Sequence, residues 1–166
     1  MSLFLVSNGA APTTAAAVAV TTGTAIKTML QVLPLRNLIL VEYGIGFNAS
    51  ALAVPIVVEV LETGTVFATV TAHVEGNITK LTNPNELAAD FMTLGTASTG
   101  YTSSAEGTIT TSRPLDAPQF MSVLSQPFIK QYPLGREPIL VKSAAVRLRV
   151  TAPAAVNAYC WFVLAS

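Results

Sequence analysis

Val66-Phe67-Ala68-Thr69-Val70-Thr71-Ala72-His73-Val74-Glu75 alternates without a break. Val66, Ala68, Val70, Ala72 and Val74 fall on one side, and Phe67, Thr69, Thr71, His73 and Glu75 on the other. Successive side chains of a strand point to opposite faces, so this period of two predicts a half-buried antiparallel strand. Ala145–Thr151 repeats the pattern, with Val146, Leu148 and Val150 opposed to Arg147, Arg149 and Thr151. The C-terminal run differs. Val156, Ala158, Cys160, Phe162 and Leu164 oppose Asn157, Tyr159, Trp161 and Val163, so both faces are largely apolar. That strand is expected to be covered on both sides, by the core and by a neighbour.

Further strands are expected over Leu3–Ser7, Ala15–Thr22, Lys27–Leu33, Leu38–Phe47, Ile56–Thr63, Gly107–Ser112, Phe120–Leu124 and Phe128–Tyr132. Turn signals separate them, among them Asn8-Gly9, Gly23, Thr63-Gly64 and Pro133-Leu134-Gly135. Glu62-Thr63-Gly64-Thr65 reads as a tight hairpin, with two adjacent strands of one sheet over Ala51–Val74. Helical signal is confined to Asn83–Leu94, which permits a short helix of about two turns. Gly95–Ala105 is rich in Thr, Ser and Gly and reads as a surface loop. About ten short strands with at most one short helix predict an all-β antiparallel sandwich, jelly-roll-like, over residues 1–166 as a single domain. The long connection Asn77–Glu106 is expected to cross between sheets, as Greek-key topologies require. Residues 1–12 carry an apolar end that either joins the domain's own sheet or extends as an arm to a neighbouring chain.

Composition narrows the function. The chain of 166 residues is 51% hydrophobic and only 11% charged, with zero formal net charge. Soluble domains average about 25% charged residues, and mixed charge keeps their surfaces apart. A β-rich chain this poor in charge is expected to keep much of its surface against other protein. Zero net charge removes the field of a nucleic-acid binder, which neutralises phosphates with Lys and Arg. No apolar run is long enough to span a bilayer as a helix, and the short N-terminal run lacks the basic flank of a signal peptide.

Chemistry is equally sparse. His73 is the single His and Cys160 the single Cys. His73 reads as a surface or interface histidine, and Cys160 alternates onto the core face as a small buried thiol. Zinc sites need three or four His or Cys ligands, and calcium loops need closely spaced acidic residues. Neither pattern occurs, and Gly44-Ile45-Gly46 lacks the remainder of a phosphate loop. The expectation is a protein without catalytic residues, metal or cofactor. Contact residues are instead sought at Leu3, Phe4 and Leu5 of the apolar end, and at Phe128, Tyr132 and Arg136 of the proline-interrupted segment Gln126–Pro138. Tyr159 and Trp161 on the second face of the last strand complete the set.

An ordered series of segments carries a resemblance. Val41-Glu42-Tyr43-Gly44-Ile45-Gly46-Phe47 precedes Val57-Val58-Glu59-Val60-Leu61 and Ala68-Thr69-Val70-Thr71-Ala72-His73-Val74. Gly100-Tyr101-Thr102, Ala105-Glu106-Gly107-Thr108 and Tyr132-Pro133-Leu134-Gly135-Arg136-Glu137-Pro138 follow. Leu148-Arg149-Val150-Thr151-Ala152-Pro153 and Val156-Asn157-Ala158-Tyr159-Cys160 close it. Over roughly residues 35–162 the chain resembles small jelly-roll-like capsid decoration (cement) proteins of actinobacterial tailed phages. The resemblance implies a non-enzymatic virion protein on the outer surface of the capsid, made in the host cytoplasm. It implies binding to the major capsid protein in the assembled shell, as a homo-oligomer, a trimer at threefold or quasi-threefold positions. The alternative is a carbohydrate-binding jelly roll of a head or tail fibre, with Trp161, Tyr101 or Tyr132 as stacking platforms.

Overall fold

A computed structural model describes residues 1–48, 55–121 and 126–166. Fourteen strands lie among the described residues: β1 (Leu3–Ser7), β2 (Val20–Thr21), β3 (Lys27–Val32), β4 (Leu38–Asn48), β5 (Pro55–Glu62), β6 (Thr69–Ala72), β7 (Thr79–Lys80), β8 (Gly100–Ala105), β9 (Arg113–Asp116), β10 (Gln119–Met121), β11 (Phe128–Gln131), β12 (Ile139–Leu140), β13 (Val146–Thr151) and β14 (Asn157–Ala165). They form two antiparallel sheets packed together. The first runs β11-β4-β14-β1-β7, with β12 also on β4 and β2 on β14. The second runs β10-β5-β13-β3-β8-β6, with β9 also on β5.

The core of this arrangement is a jelly roll. β1-β14-β4-β11 faces β3-β13-β5-β10, and the chain crosses between them from β1 to β3, β3 to β4 and β4 to β5. It crosses again from β10 to β11, from β11 to β13 and from β13 to β14. The insertion between β5 and β9 adds β8 and β6 beyond β3 in one sheet and β7 beyond β1 in the other. The connection Asn77–Glu106 therefore does pass between sheets. Inside, Phe4 and Val6 of β1, Leu40, Tyr43 and Ile45 of β4, and Cys160, Phe162 and Leu164 of β14 meet Leu30, Val58, Val60, Val146, Leu148 and Val150 of the second sheet.

Several expectations need correction. Of the two alternatives for residues 1–12, Leu3–Ser7 takes the first: β1 lies in the domain's own sheet between β14 and β7, paired with both. Ala15–Thr22 contributes only Val20-Thr21 to a sheet. Gly95–Ala105 is not all loop, because β8 occupies Gly100–Ala105, whereas Gly107–Ser112 holds no strand. Asn83–Leu94 makes one 3-10 turn at Ala88–Asp90 in place of a helix. The part of the expected strand Phe120–Leu124 beyond residue 121 lies outside the described residues, as do residues 51–54 of Ala51–Val74.

The Glu62–Thr65 turn is not a hairpin, since β5 pairs with β13 and not with β6. Instead the chain crosses the outer face of the second sheet from Thr63 to Ala68, and buried polar side chains hold it there. The Thr63 amide donates to the Ala145 carbonyl, and the Ala145 amide to Gly64. The Arg147 guanidinium donates to the Val66 carbonyl through Nη2 and to the Glu106 carbonyl through Nη1. Gln31 accepts from the Ala68 amide at 2.8 Å and donates back to its carbonyl. Arg147 does occupy the face opposite Val146 and Leu148, but that face is covered and the side chain is fully buried.

Asn8 completes the first sheet where β1 stops short. Its amide donates to the Ala158 carbonyl at 3.0 Å and its Oδ1 accepts from the Cys160 amide at 2.9 Å. The side chain thus substitutes for a missing stretch of backbone along β14 until β2 returns at Asn157 and Ala158.

Candidate functional site

The register of the first sheet places its outward side chains in cross-strand rows. One row reads Ile139, Ile39, Ala165, Leu3 across β12, β4, β14 and β1. The next reads Gln131, Glu42, Val163, Leu5, Thr79, displaced by a bulge at Val41. A third reads Ile129, Gly44, Trp161, Ser7. Tyr159 opposite Gly46 follows. Alternation sends the intervening residues into the core, so these rows make up the outer face of the sheet. Glu42 is the single charged residue in them. Ile129, Ile139 and Ile39 are 53%, 54% and 36% exposed, and Leu3, Leu5, Val163 and Trp161 are half-buried. Contiguous apolar surface of this kind marks a site of interaction on a folded protein.

The aromatic end of this face is built on glycine. Trp161 lies flat over Gly44, its register partner, where a Cβ would stand 2.1 Å from Cζ2 of the indole. The indole Nε1 donates to Glu42 Oε1 at 2.9 Å, one row away on the same strand as Gly44. Tyr159 packs beside Trp161 with ring centroids 5.9 Å apart and planes tilted by 40°. Next to the two rings is a groove of about 410 Å³ lined by Ala17, Ala19, Gly46, Phe47, Asn48 and Pro127. A second, of about 320 Å³, lies between Tyr159, Tyr101 and the segment from Gly9 to Val18.

The residues sought from the sequence do not all meet here. Leu3, Leu5, Tyr159 and Trp161 share the outer face. Phe4 is a correction: its side chain faces the core, fully buried and packed on Phe91 with ring centroids 4.8 Å apart and planes tilted by 47°. Phe128 and Tyr132 turn the other way, onto Tyr43, at centroid distances of 5.9 and 6.4 Å. Arg136 is exposed in the turn after Pro133, apart from the face. Sequence reasoning missed Ile39, Ile129 and Ile139, which alternate with inward Leu40, Phe128 and Leu140. The signal was there in β4, where Leu38-Ile39-Leu40 offers apolar residues to both faces.

Beside Tyr43, Asp116 closes the flank between the sheets. It accepts from the Tyr43 hydroxyl and pairs with Lys130 at 2.9 Å. Burial works against the Asp116 carboxylate, but these bonds outweigh it and hold its pKa below the usual range. Tyr132 is pushed up to about 12 by burial and by the charge of Asp116. Burial likewise drives the Cys160 thiol up, which keeps it protonated and unreactive. His73 is a further correction. It is buried rather than on a polar surface, its Nε2 donating to the Ser7 carbonyl at 2.9 Å and its ring against Tyr101. Among the described residues no three His, Cys, Asp or Glu side chains converge as metal ligands do, and no helix is long and apolar enough to cross a membrane. No protein-family model, curated protein or solved structure matches the chain.

Proposed function

We propose that this chain is a non-enzymatic virion protein that decorates a phage head, binding the assembled shell and bridging subunits of the major capsid protein. The observation that carries the reading is the outer face of the first sheet. Its rows through Leu3, Leu5, Ile39, Val163 and Ile139 present apolar side chains with Glu42 as the lone charge, on a rigid jelly roll. Such a face suits a broad protein contact. It holds about a dozen residues, fewer than the 20–30 a side of a standing interface. A contact of that size gains strength by being repeated, in a homotrimer that engages several capsid subunits at once. A ligand bound only by the assembled state stabilises that state by mass action.

The test is cosedimentation of the purified chain with heads that lack it, in parallel with free capsid subunits. Saturable binding to heads alone is expected, with a higher temperature of head disruption. Ile39→Lys and Val163→Lys should abolish binding without unfolding the domain. A chain that stays monomeric at micromolar concentration and ignores undecorated heads overturns the reading.

A further inference from the structure

The Trp161 end of the outer face has a chemistry that shell docking does not use. Six residues of β14 separate Ala165 from Tyr159, about 20 Å along the strand. The aromatic end, from Tyr159 to the Glu42 edge of Trp161, can therefore stay open while the row through Ile139, Ile39 and Leu3 is covered. Here one face of the indole rests on Gly44, which leaves its other face turned outward beside the 410 Å³ groove. A volume of that order falls within the ~300–1,000 Å³ of small-molecule sites.

We propose that Trp161, Tyr159, Glu42 and Asn48 form a binding platform for a neutral pyranose ring. Two requirements lead to this class. The flat indole calls for a ligand with a flat, weakly polar face, and the C–H face of a pyranose supplies one. The groups at the rim are acceptors or amides: the Glu42 carboxylate sits at the Nε1 edge of the indole, and Asn48 is exposed at the end of β4. A purely apolar ligand would desolvate the Glu42 carboxylate with only the Trp161 Nε1–H bond to offset the cost, whereas ring hydroxyls donate further bonds to it. Among the described residues no Lys or Arg lines the groove. Glu42 lies outside the groove, at the Nε1 edge of the indole, and there repels an acidic sugar stacked on the ring, so the site selects neutral ones.

The two rings are tilted by 40° and in contact, so they make an open shelf and not a cage around a cation. Tyr101 and Tyr132 are not part of the site. Tyr101 packs on His73, and Tyr132 on Tyr43 with its hydroxyl buried.

Trp161 is the single tryptophan of the chain, so its fluorescence reports the platform directly. The isolated protein is titrated with the methyl glycosides of glucose, galactose, mannose and N-acetylglucosamine, with glucuronate and glycerol as controls. At least one neutral glycoside should give a saturable change in emission in the millimolar range, and neither control should. Tyr159→Ala should remove the response, and Glu42→Gln should raise the half-saturation by about tenfold or more, as loss of a hydrogen bond to a charged group does. No saturable change with any of the four glycosides overturns the proposal. So does a response shared by glucuronate or glycerol, or one that both variants leave intact. None of these outcomes bears on head binding, which is measured separately.

Discussion

The indole of Trp161 occupies the space that a side chain at Gly44 would need. The two residues are register partners on β14 and β4, and a Cβ on Gly44 would lie 2.1 to 2.5 Å from three atoms of the ring. Glycine in a strand interior normally weakens it, but here the aromatic ring covers the exposed backbone and recovers the lost packing.

Gly44→Ala should therefore lift the indole off the sheet and break its bond to Glu42. A destabilisation of about 1–3 kcal/mol is expected, the usual range for overpacking. Urea unfolding followed by tryptophan emission checks both parts, since the folded-state emission should shift to the red. Gly46→Ala is the control. A Cβ there meets Pro127 alone, its Cβ at 3.4 Å and its Cα at 3.8 Å, ordinary contacts that should change stability little.

Arg147 carries the crossing of the Thr63–Ala68 segment over the second sheet. Its side chain is fully buried and bonds the Val66 and Glu106 carbonyls, with the Glu106 carboxylate at 3.5 Å. Arg147→Ala leaves those acceptors unpaired and should cost about 3 kcal/mol, in the range for breaking one side of a buried ionic contact. Arg147→Lys should recover only part of this, because one ammonium lacks the fork that reaches both carbonyls. Denaturant midpoints of the two variants, measured with unchanged slopes, decide the matter.

The contrast between Arg147 and β13 as a whole explains what could be read from the sequence. The alternation of Val146, Leu148 and Val150 was enough to find the strand and its inner face. The same reading placed Arg147 opposite them correctly, yet made it solvent-facing. What covers it is a segment some 80 positions earlier, brought there by topology, and no local pattern encodes that. β8 was hidden for a related reason. Gly100 must be bare because a Cβ would sit 2.3 Å from the Thr71 carbonyl oxygen, and Ser103 is spent on Glu106, so the strand lacks apolar alternation. His73 is misplaced by the alternation because β6 covers only Thr69–Ala72, while the period of two over Val66–Glu75 runs three residues past each end of the strand. On the outer face, Tyr159 and Trp161 were legible from the last strand alone. Ile39, Ile129 and Ile139 became neighbours of that strand only through its pairings.

Thr102 is the extra residue of a bulge in β8, between Tyr101 and Ser103 opposite Thr71 and Val70. Its φ is +52°, a region that β-branched side chains avoid, and its hydroxyl is buried without a partner. Such a conformation costs about 1–3 kcal/mol. Thr102→Gly relieves it at an entropic cost of about 0.5–1 kcal/mol, so a net gain of about 1 kcal/mol is expected. Thr102→Val keeps the strained branch and loses only the unpartnered hydroxyl, so its gain reports that hydroxyl, and the excess of glycine over valine reports the backbone. A thermal melt that ranks glycine at or below threonine would sink this reading of the bulge.

His73 predicts how the fold responds to acid. Its Nε2 ties the end of β6 to Ser7 at the end of β1, and Nδ1 is buried with no partner. Burial lowers its pKa from 6.5 to about 4, against the smaller opposing effect of the Ser7 carbonyl. The unfolded chain therefore takes up a proton near pH 6.5 that the folded chain refuses until about pH 4. Over that interval the unfolded state binds more protons, so stability falls as pH falls. At about 1.4 kcal/mol per pH unit, the loss from His73 amounts to about 3 kcal/mol and is complete below pH 4. Asp116 and Glu75, both held below the usual carboxylate range, add their losses only at lower pH. Unfolding free energies measured by denaturant from pH 7 to pH 4 should show this slope. His73→Gln, which carries no titrating group, should flatten it; an unchanged slope in that variant would assign the acid sensitivity elsewhere.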